Sequence, residues 1–544
     1  MTDRIKAIAN WNARAGSAWA RRALLAAILL WPNVVLLAVS REPFGWFDRF
    51  TLLGLAVLGI LMPLTWSRTS RAFWLWNIPI ACSAGVYGSY VLYFHAPPYS
   101  GIWGAIRATT FRELFELAVQ LHGVALWCLV LLVAYLALAF AEPARPIAMW
   151  RHTRIALVCA AAWAALCVIG IPTIWIYPDI SYIRPVREEV FHASFPPGML
   201  AQAAKEALKA RDAASASIPP IDFHATPGRE IYVQIVGESE QYARWAAQLA
   251  VSGAAFPASP STVVFRDNMS QANLTHLALP LILTGAAQPR EAGRLPTWLQ
   301  FAQARGCRTG WLAANEFDGQ RLYRHSLDFV FDLHEITRGI DAGIYDDMML
   351  PEFRRILAQG PEKVCLLVHM NGSHMDYERR YRPDQARYPV DRGRDSDRRA
   401  YDNSLLKSIA FLDAAIAELA RYPEARSFLV YSPDHGENLR EDSRQFFSHS
   451  HNPPTVYEAR IPLVVWASPA FQKQNPRQWR AIRKNAGLPT SNRYLFNTLL
   501  WAMGVDQKAK NDVPSLFDDP QNLRGFRRTI AISEDRIFDE KDLQ

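Results

Sequence analysis

The chain has 544 residues, half of them hydrophobic and a fifth charged, with 18 Trp and a formal net charge of +8. These figures exclude a disordered segment, a collagen-like repeat and a small disulfide-held scaffold, and the length implies several structural units. The charge excess is local: residues 1–228 hold 19 Lys/Arg against 12 Asp/Glu and the rest hold 40 against 39, so the larger C-terminal part carries no basic footprint for nucleic acid. Charge-free apolar runs come first, over 23–40, 50–67, 72–95, 117–141 and 155–178. Each is near the roughly 20 residues that a helix needs to cross the hydrocarbon. One such run could be a buried core helix, but five in succession predict a transmembrane bundle. Four further runs after the first also exclude a cleaved signal peptide. Ten Lys/Arg between Arg4 and Arg154 flank one side of the bundle, against Arg41, Arg49, Arg107 and Arg112 on the other. The N-terminus is therefore expected in the cytoplasm, and everything after about residue 178 outside it.

Three regions are expected: a five-helix transmembrane domain over 1–178, a connector over 179–228 and a soluble catalytic domain over 229–544. The connector contains an Ala- and Lys-rich stretch, expected to be helical over 199–214, between Pro196-Pro197 and Pro219-Pro220. From Arg229 onward short β-rich runs alternate with helical segments. Strands are expected over 231–236, 364–368, 427–432 and 462–466, and helices over 294–305 and 399–421. This alternation predicts a mostly parallel sheet with helices on both faces. Ligands of such sheets bind beyond the carboxyl ends of the strands. Glu238, Asp434 and His435 stand at those ends. Two carboxylates and an imidazole suit Zn²⁺, or less well Mn²⁺. Taken singly, Glu238 also reads as a helix cap and Asp434-His435-Gly436 as a turn.

Further residues extend the pattern. Thr275 opens Thr275-His276-Leu277-Ala278-Leu279-Pro280, His374 follows Gly372-Ser373, and Tyr401-Asp402-Asn403-Ser404-Leu405-Leu406 lies in the expected long helix. Together with Gly237-Glu238-Ser239 and Asp434-His435-Gly436-Glu437, this order resembles the phosphoethanolamine transferases. These are five-span bacterial inner-membrane enzymes with a periplasmic domain of the alkaline phosphatase and sulfatase superfamily; the lipid A-modifying enzymes of polymyxin resistance are among them. The resemblance implies a metal site of Glu238, Thr275, Asp434 and His435, with Thr275 as the nucleophile. It implies one catalytic zinc and room for a second ion bound with substrate. It also implies that His374 and His449 contact substrate phosphate, with His451 competing for the place of His449. Thr109 and Glu113, between the third and fourth runs, resemble a segment that contacts the lipid donor. The implied donor is phosphatidylethanolamine and the implied acceptor a lipopolysaccharide or another envelope glycan.

The chain departs from the family in two places. Glu240 and Gln241 stand where a basic residue is common, with Arg244 as the nearest substitute, and the external domain has only Cys307 and Cys365. Both cysteines lie in apolar, strand-like contexts and are expected as buried thiols, in a compartment that permits disulfides. An arylsulfatase would need Cys or Ser where Thr275 stands. A glycerophosphotransferase of the lipoteichoic-acid-synthase type is the alternative enzyme, with phosphatidylglycerol as donor. A catalytically inactive membrane scaffold of the same fold is the alternative outside enzymes.

Overall fold

Backbone amides have no partner in hydrocarbon, so long charge-free runs fold as helices. A computed structural model describes residues 2–40, 44–98, 121–147, 188–202, 228–314, 327–336, 343–360, 362–391, 395–505, 513–534 and 536–543, with scattered positions between them. The chain divides into two units, Met1–Trp103 with Leu114–Arg211, and Gly104–Glu113 with Asp212–Gln544.

The first unit contains α1 (Thr2–Val39), α2 (Trp46–Leu61), α3 (Ser70–Trp76), α4 (Ile78–Phe94), α5 (His122–Ala141) and α6 (Glu188–Ala193). Among the described residues, three segments are long and apolar enough to cross a membrane: Ala18–Val39, Trp46–Thr65 and His122–Ala141. The expected span over 72–95 is instead two helices, α3 and α4, joined at Asn77. The Asn77 amide turns back to the Phe73 carbonyl at 3.1 Å, and Pro79 brings no backbone N–H to the first turn of α4. That leaves α4 with 17 residues. Most of 155–178 lies outside the described residues, as do Thr109, Glu113 and residues 203–214 of the expected connector helix, of which 199–202 are helical. Glu142 is fully buried against Arg21 at 3.0 Å and Arg22 at 2.6 Å.

The second unit is built on an eight-stranded sheet. Its strands are β1 (Glu230–Gly237), β2 (Thr262–Met269), β3 (Arg308–Ala313), β4 (Phe329–Asp332), β5 (Lys363–His369), β6 (Arg426–Pro433), β7 (Arg460–Ala467) and β8 (Thr490–Ser491). Their spatial order is β8-β2-β7-β6-β1-β5-β3-β4. Every neighbouring pair is parallel except those that β7 makes with β2 and β6. The α/β architecture with a mostly parallel sheet is therefore as expected. Strand β1 shows why its sequence is almost continuously apolar. Tyr232 and Val236 enter one core cluster, and Ile231, Val233 and Ile235 enter the other.

Helices α7 (Tyr242–Ser252), α8 (Thr275–Thr284), α9 (Trp298–Ala304), α10 (Leu350–Gln359), α11 (Ser396–Ala420) and α12 (Tyr494–Ala502) belong to this unit. The helix expected over 294–305 begins later, because Thr297 and Gln300 form a reciprocal cap at its start. Cys307 and Cys365 are buried free thiols.

Candidate active site

Strands β1 and β6 lie side by side in register, pairing Gly237 with Pro433. Their next residues, Glu238 and Asp434, therefore leave the sheet together. Asp434 Oδ1 accepts from the Ser239 amide at 3.2 Å and the His435 amide at 2.8 Å. Its second oxygen is buried without a hydrogen bond, 3.3 Å from His435 Nε2. His435 Nδ1 lies 2.9 Å from the Gly436 carbonyl. Donation there leaves the Nε2 lone pair facing the site.

Thr275 is the first residue of α8. Its Oγ1 lies 3.1 Å from Glu238 Oε1, to which it donates, and 3.3 Å from His435 Nε2. The positive end of the helix dipole favours an anion beside this hydroxyl. The segment before it is held by Ser270, whose hydroxyl donates to the carbonyls of Asp434 and Ala272. Thus Glu238, Thr275, Asp434 and His435 come together from three chain segments, and one ligand atom from each of Glu238, Asp434 and His435 falls within 4.8 Å of the others.

The electrostatics are those of a cation site. Glu238, Asp434 and His435 are fully buried. Burial, and then the charge of Asp434, push the Glu238 carboxyl well above its ordinary range. A divalent ion between the two carboxylates reverses that penalty. The donor set of carboxylates, imidazole and hydroxyl, with one Asp434 oxygen otherwise orphaned, fits zinc.

A second cluster adjoins the first through His435. His435, Glu437 and His449 also bring ligand atoms within 4.8 Å. His449 lies 2.8 Å from Glu437, and its ring centroid is 4.2 Å from that of His435. Burial opposes its charging, but the carboxylates of Glu437, Glu458 and Asp434 together raise its pKa above the ordinary value. His451 is fully buried elsewhere, paired with Glu458 at 3.0 Å and stacked on Phe446. Of the two competing histidines, His449 is the one at the site.

His374 sits on the turn after β5. There Ser373 N–H donates to the Glu238 carbonyl at 2.8 Å, and the Asp346 carboxylate accepts from the Asn371 and Gly372 amides at 2.7 and 3.1 Å. Gly372 has φ +49°, and a Cβ there would meet the Glu238 nitrogen at 2.7 Å. Burial, then Arg380 and the histidines His449 and His435, hold His374 well below its ordinary pKa.

Four consecutive side chains of α11 brace these loops. Tyr401 Oη donates to the Ser239 carbonyl at 2.7 Å and accepts from the Gln241 amide at 2.8 Å. It thereby supports Ser239 at φ 57°, a conformation few non-glycine residues adopt. Asp402 takes a two-pronged bond from Arg244 at 2.9 and 2.7 Å. Asn403 accepts from the amides of Arg387 and Tyr388, both at 2.9 Å. Ser404 bonds Ser373 at 2.8 Å.

Sequence reasoning missed His369, Glu437 and Asp346. His369 ends β5 with Nε2 3.8 Å from Glu238 Oε2, and burial lowers its pKa to about 4. Its place at the end of an apolar strand was the available signal. Glu437 also accepts from Tyr377 at 2.6 Å.

An α/β sheet with a buried carboxylate–imidazole site and a hydroxyl at its carboxyl edge defines a class. The chain belongs to the sulfatase family, whose model matches residues 231–505. It is 24% identical over 292 residues to the phosphoethanolamine transferase EptC of Escherichia coli O18:K1:H7, covering 48% of this chain and 50% of the relative. It is 27% identical over 176 residues to the Kdo(2)-lipid A phosphoethanolamine 7''-transferase of Salmonella typhimurium, covering 29% and 30%. The chain thus spans about half the length of the first relative and less of the second. The integral membrane lipooligosaccharide phosphoethanolamine transferase A of Neisseria meningitidis shares the fold over 90% of this chain and 97% of its own, with TM-score 0.66 and 18% identity. The periplasmic domain of Escherichia coli EptC, solved in complex with Zn, matches 60% of this chain and 98% of its own, with TM-score 0.53 and 20% identity.

Proposed function

We propose that this chain is a phosphoethanolamine transferase of the bacterial inner membrane. It takes phosphoethanolamine from phosphatidylethanolamine and passes it, through a phosphothreonine, to lipopolysaccharide or another envelope glycan in the periplasm. The observation that carries this reading is the Thr275 hydroxyl, held between Glu238 and His435 at the first turn of α8. The names of the relatives support the choice of group transferred.

Glu238, Thr275, Asp434 and His435 would hold one zinc. When bound, it supplies a Lewis acid that lowers the pKa of the hydroxyl and neutralises phosphoryl charge. Thr275 Oγ1 forms the new bond to phosphorus, and its proton has an acceptor in Glu238 Oε1. The bond to the glycerol oxygen breaks, and diacylglycerol leaves with that proton. The acceptor hydroxyl then attacks the phosphothreonine, and Thr275 regains its own. His374 and His449 hold the phosphate oxygens or a second ion. Thr109 and Glu113 are the residues assigned to lipid-donor contact in this reading. Five spans within 1–178, a connector over 179–228 and a periplasmic domain over 229–544 complete this reading. The N-terminus then lies in the cytoplasm.

Full-length protein incubated with phosphatidylethanolamine and analysed by intact mass tests it. A phosphoethanolamine adduct on Thr275 is expected. An adduct on another residue, or none, overturns the mechanism.

A further inference from the structure

The even charge balance of the C-terminal part conceals a local excess. Residues 459–505 hold seven Lys/Arg and no Asp/Glu. Most of that excess lies on two neighbouring helices, Pro469–Gln474 and Pro476–Asn485. In the second, Trp479, Ile482 and Asn485 are buried, and Trp479 and Ile482 enter the same core cluster as Tyr232. Arg477, Arg480 and Lys484 recur at helical spacing away from that buried side, with Arg483 beside them. All four are exposed, as is Lys473 on the first helix. Arg266 of β2 joins them: it is exposed, and its amide donates to the Ala486 carbonyl at 3.0 Å, just past the end of the second helix.

None of these six side chains makes an ion pair or a hydrogen bond among the described residues. Exposed cations elsewhere in the same unit behave differently: Arg354, Arg355, Arg421 and Arg527 are each paired with a carboxylate. The acids near the basic helix do not restore the balance. Asp267, next to Arg266, is spent on Arg460 and Arg528. Asp518 and Asp519 lie in the loop that Asn485 holds by the carbonyls of Leu516 and Asp518, which leaves two carboxylates against six cations. The face also lacks an apolar anchor, since no large hydrophobic side chain between 459 and 505 is exposed. Protein interfaces are centred on such anchors; a charged lipid surface needs none.

We propose that this face, formed by Arg266, Lys473, Arg477, Arg480, Arg483 and Lys484, is a peripheral docking surface for anionic phospholipid headgroups, held by charge alone. The inference rests on the membrane location in the reading above and not on the transfer reaction. Guanidinium groups take two phosphate oxygens at once, and each Lys or Arg near an anionic bilayer strengthens binding about fivefold. With no side chain to insert, the contact is open to screening by salt, whose range falls from about 10 Å at 0.1 M to about 3 Å at 1 M. A domain that works on a lipid donor gains from such a hold, because a second, reversible contact raises its effective concentration at the lipid surface.

The test uses full-length protein in lipid nanodiscs of phosphatidylcholine, with or without about a third of phosphatidylglycerol, and an amine-acetylating reagent that reads the exposure of single lysines. Lys407 is the reference, because it lies on α11, whose buried residues enter the core cluster on the opposite face of the sheet. In low salt, acetylation of Lys473 and Lys484 relative to Lys407 should fall at least about threefold when phosphatidylglycerol is present, and should recover at about 0.5 M NaCl. A chain carrying Arg477→Glu, Arg480→Glu and Arg483→Glu should show no such protection, with a thermal unfolding midpoint matching wild type as proof of folding. Equal labelling in the two nanodiscs overturns the proposal. So does protection that survives high salt or the triple substitution, and so does protection already complete in phosphatidylcholine, which would mean that a second copy or another segment of the chain covers the face. A chain that protects these lysines but forms no Thr275 adduct loses the transferase reading and keeps this surface; one that forms the adduct without protection loses the surface alone.

Discussion

Glu230 opens β1 and Glu238 follows its last residue, and both side chains are fully buried. At the amino end, Glu230 is met by Arg305 at 2.8 Å, Arg426 at 3.3 Å and the Tyr232 hydroxyl at 2.5 Å. At the carboxyl end, Glu238 meets a hydroxyl, imidazoles and a second carboxylate, with His435 at 3.7 Å and His369 at 3.8 Å as its ion-pairing neighbours. The two positions share a strand, a core and a degree of burial. They differ in whether the protein itself supplies the compensating charge. Where it does, the carboxylate is structural; where it supplies a further carboxylate, a cation from outside would complete the balance.

The largest expected effect is on chemistry at the carboxyl end. Thr275→Ala should lower transfer by at least the roughly 10²–10⁴-fold typical of losing a catalytic group, while Thr275→Ser keeps a hydroxyl and retains measurable turnover. Product analysis by mass spectrometry decides, and normal turnover by Thr275→Ala would falsify the assignment.

Exchanging the two glutamates sharpens the contrast. Glu230→Gln leaves Arg305 and Arg426 buried with a weakened partner, and should cost up to about 3–5 kcal/mol of stability, read as a lower unfolding midpoint. Glu238→Gln removes a repulsion, so the metal-free protein should melt no lower than wild type. It should nevertheless lose zinc, as should Asp434→Ala, on elemental analysis of the purified protein. An Asp434→Ala protein with a full complement of zinc would dissolve the distinction between the two ends.

Asp346 offers an intermediate case. Burial pushes its pKa up to about 6, although two backbone amides donate to it and favour its charge. The native state therefore holds this proton more tightly than the unfolded chain. The stability this contributes is full below the unfolded value of about 3.9 and is lost as pH rises through about 6. Asp346→Asn should flatten that fall, a change of at most roughly 3 kcal/mol. Stability curves at pH 4 and pH 7 that run parallel for both proteins would refute it.

The smallest effect is expected at Cys307 and Cys365. Both lie in the apolar core and away from the ligand cluster. Replacing both by alanine should leave transfer within about twofold, in keeping with a volume change outside the site. A large loss of activity in a well-folded double variant counts against this.

Glu238, Asp434 and His435 were legible because a strand pattern ends abruptly in residues with metal-ligand chemistry. The parallel sheet was legible for a related reason: strands buried on both faces read as unbroken apolar runs, as β1 does. Thr275 is different, since a threonine in a loop says little by itself; only the spacing to Pro280 and the family resemblance singled it out. His449 and His451 are two residues apart, and only the fold separates them, by turning one to Glu437 and the other to Glu458. The division of the expected third span at Asn77 was hidden because a single amide barely alters the hydropathy of a long run.

Residues Tyr401 to Ser404 hold the loops at 239–241, 387–388 and 373 from one stretch of α11. A helix that fastens several loops at once also couples their openings. Amide hydrogen exchange should therefore report them as one cooperative unit, with Ser239, Gln241, Ser373, Arg387 and Tyr388 gaining deuterium at a common rate set by the unlocking of the helix. A chain that ordered each loop separately would show a spread of rates; here the loop that carries Glu238 should loosen only together with its neighbours.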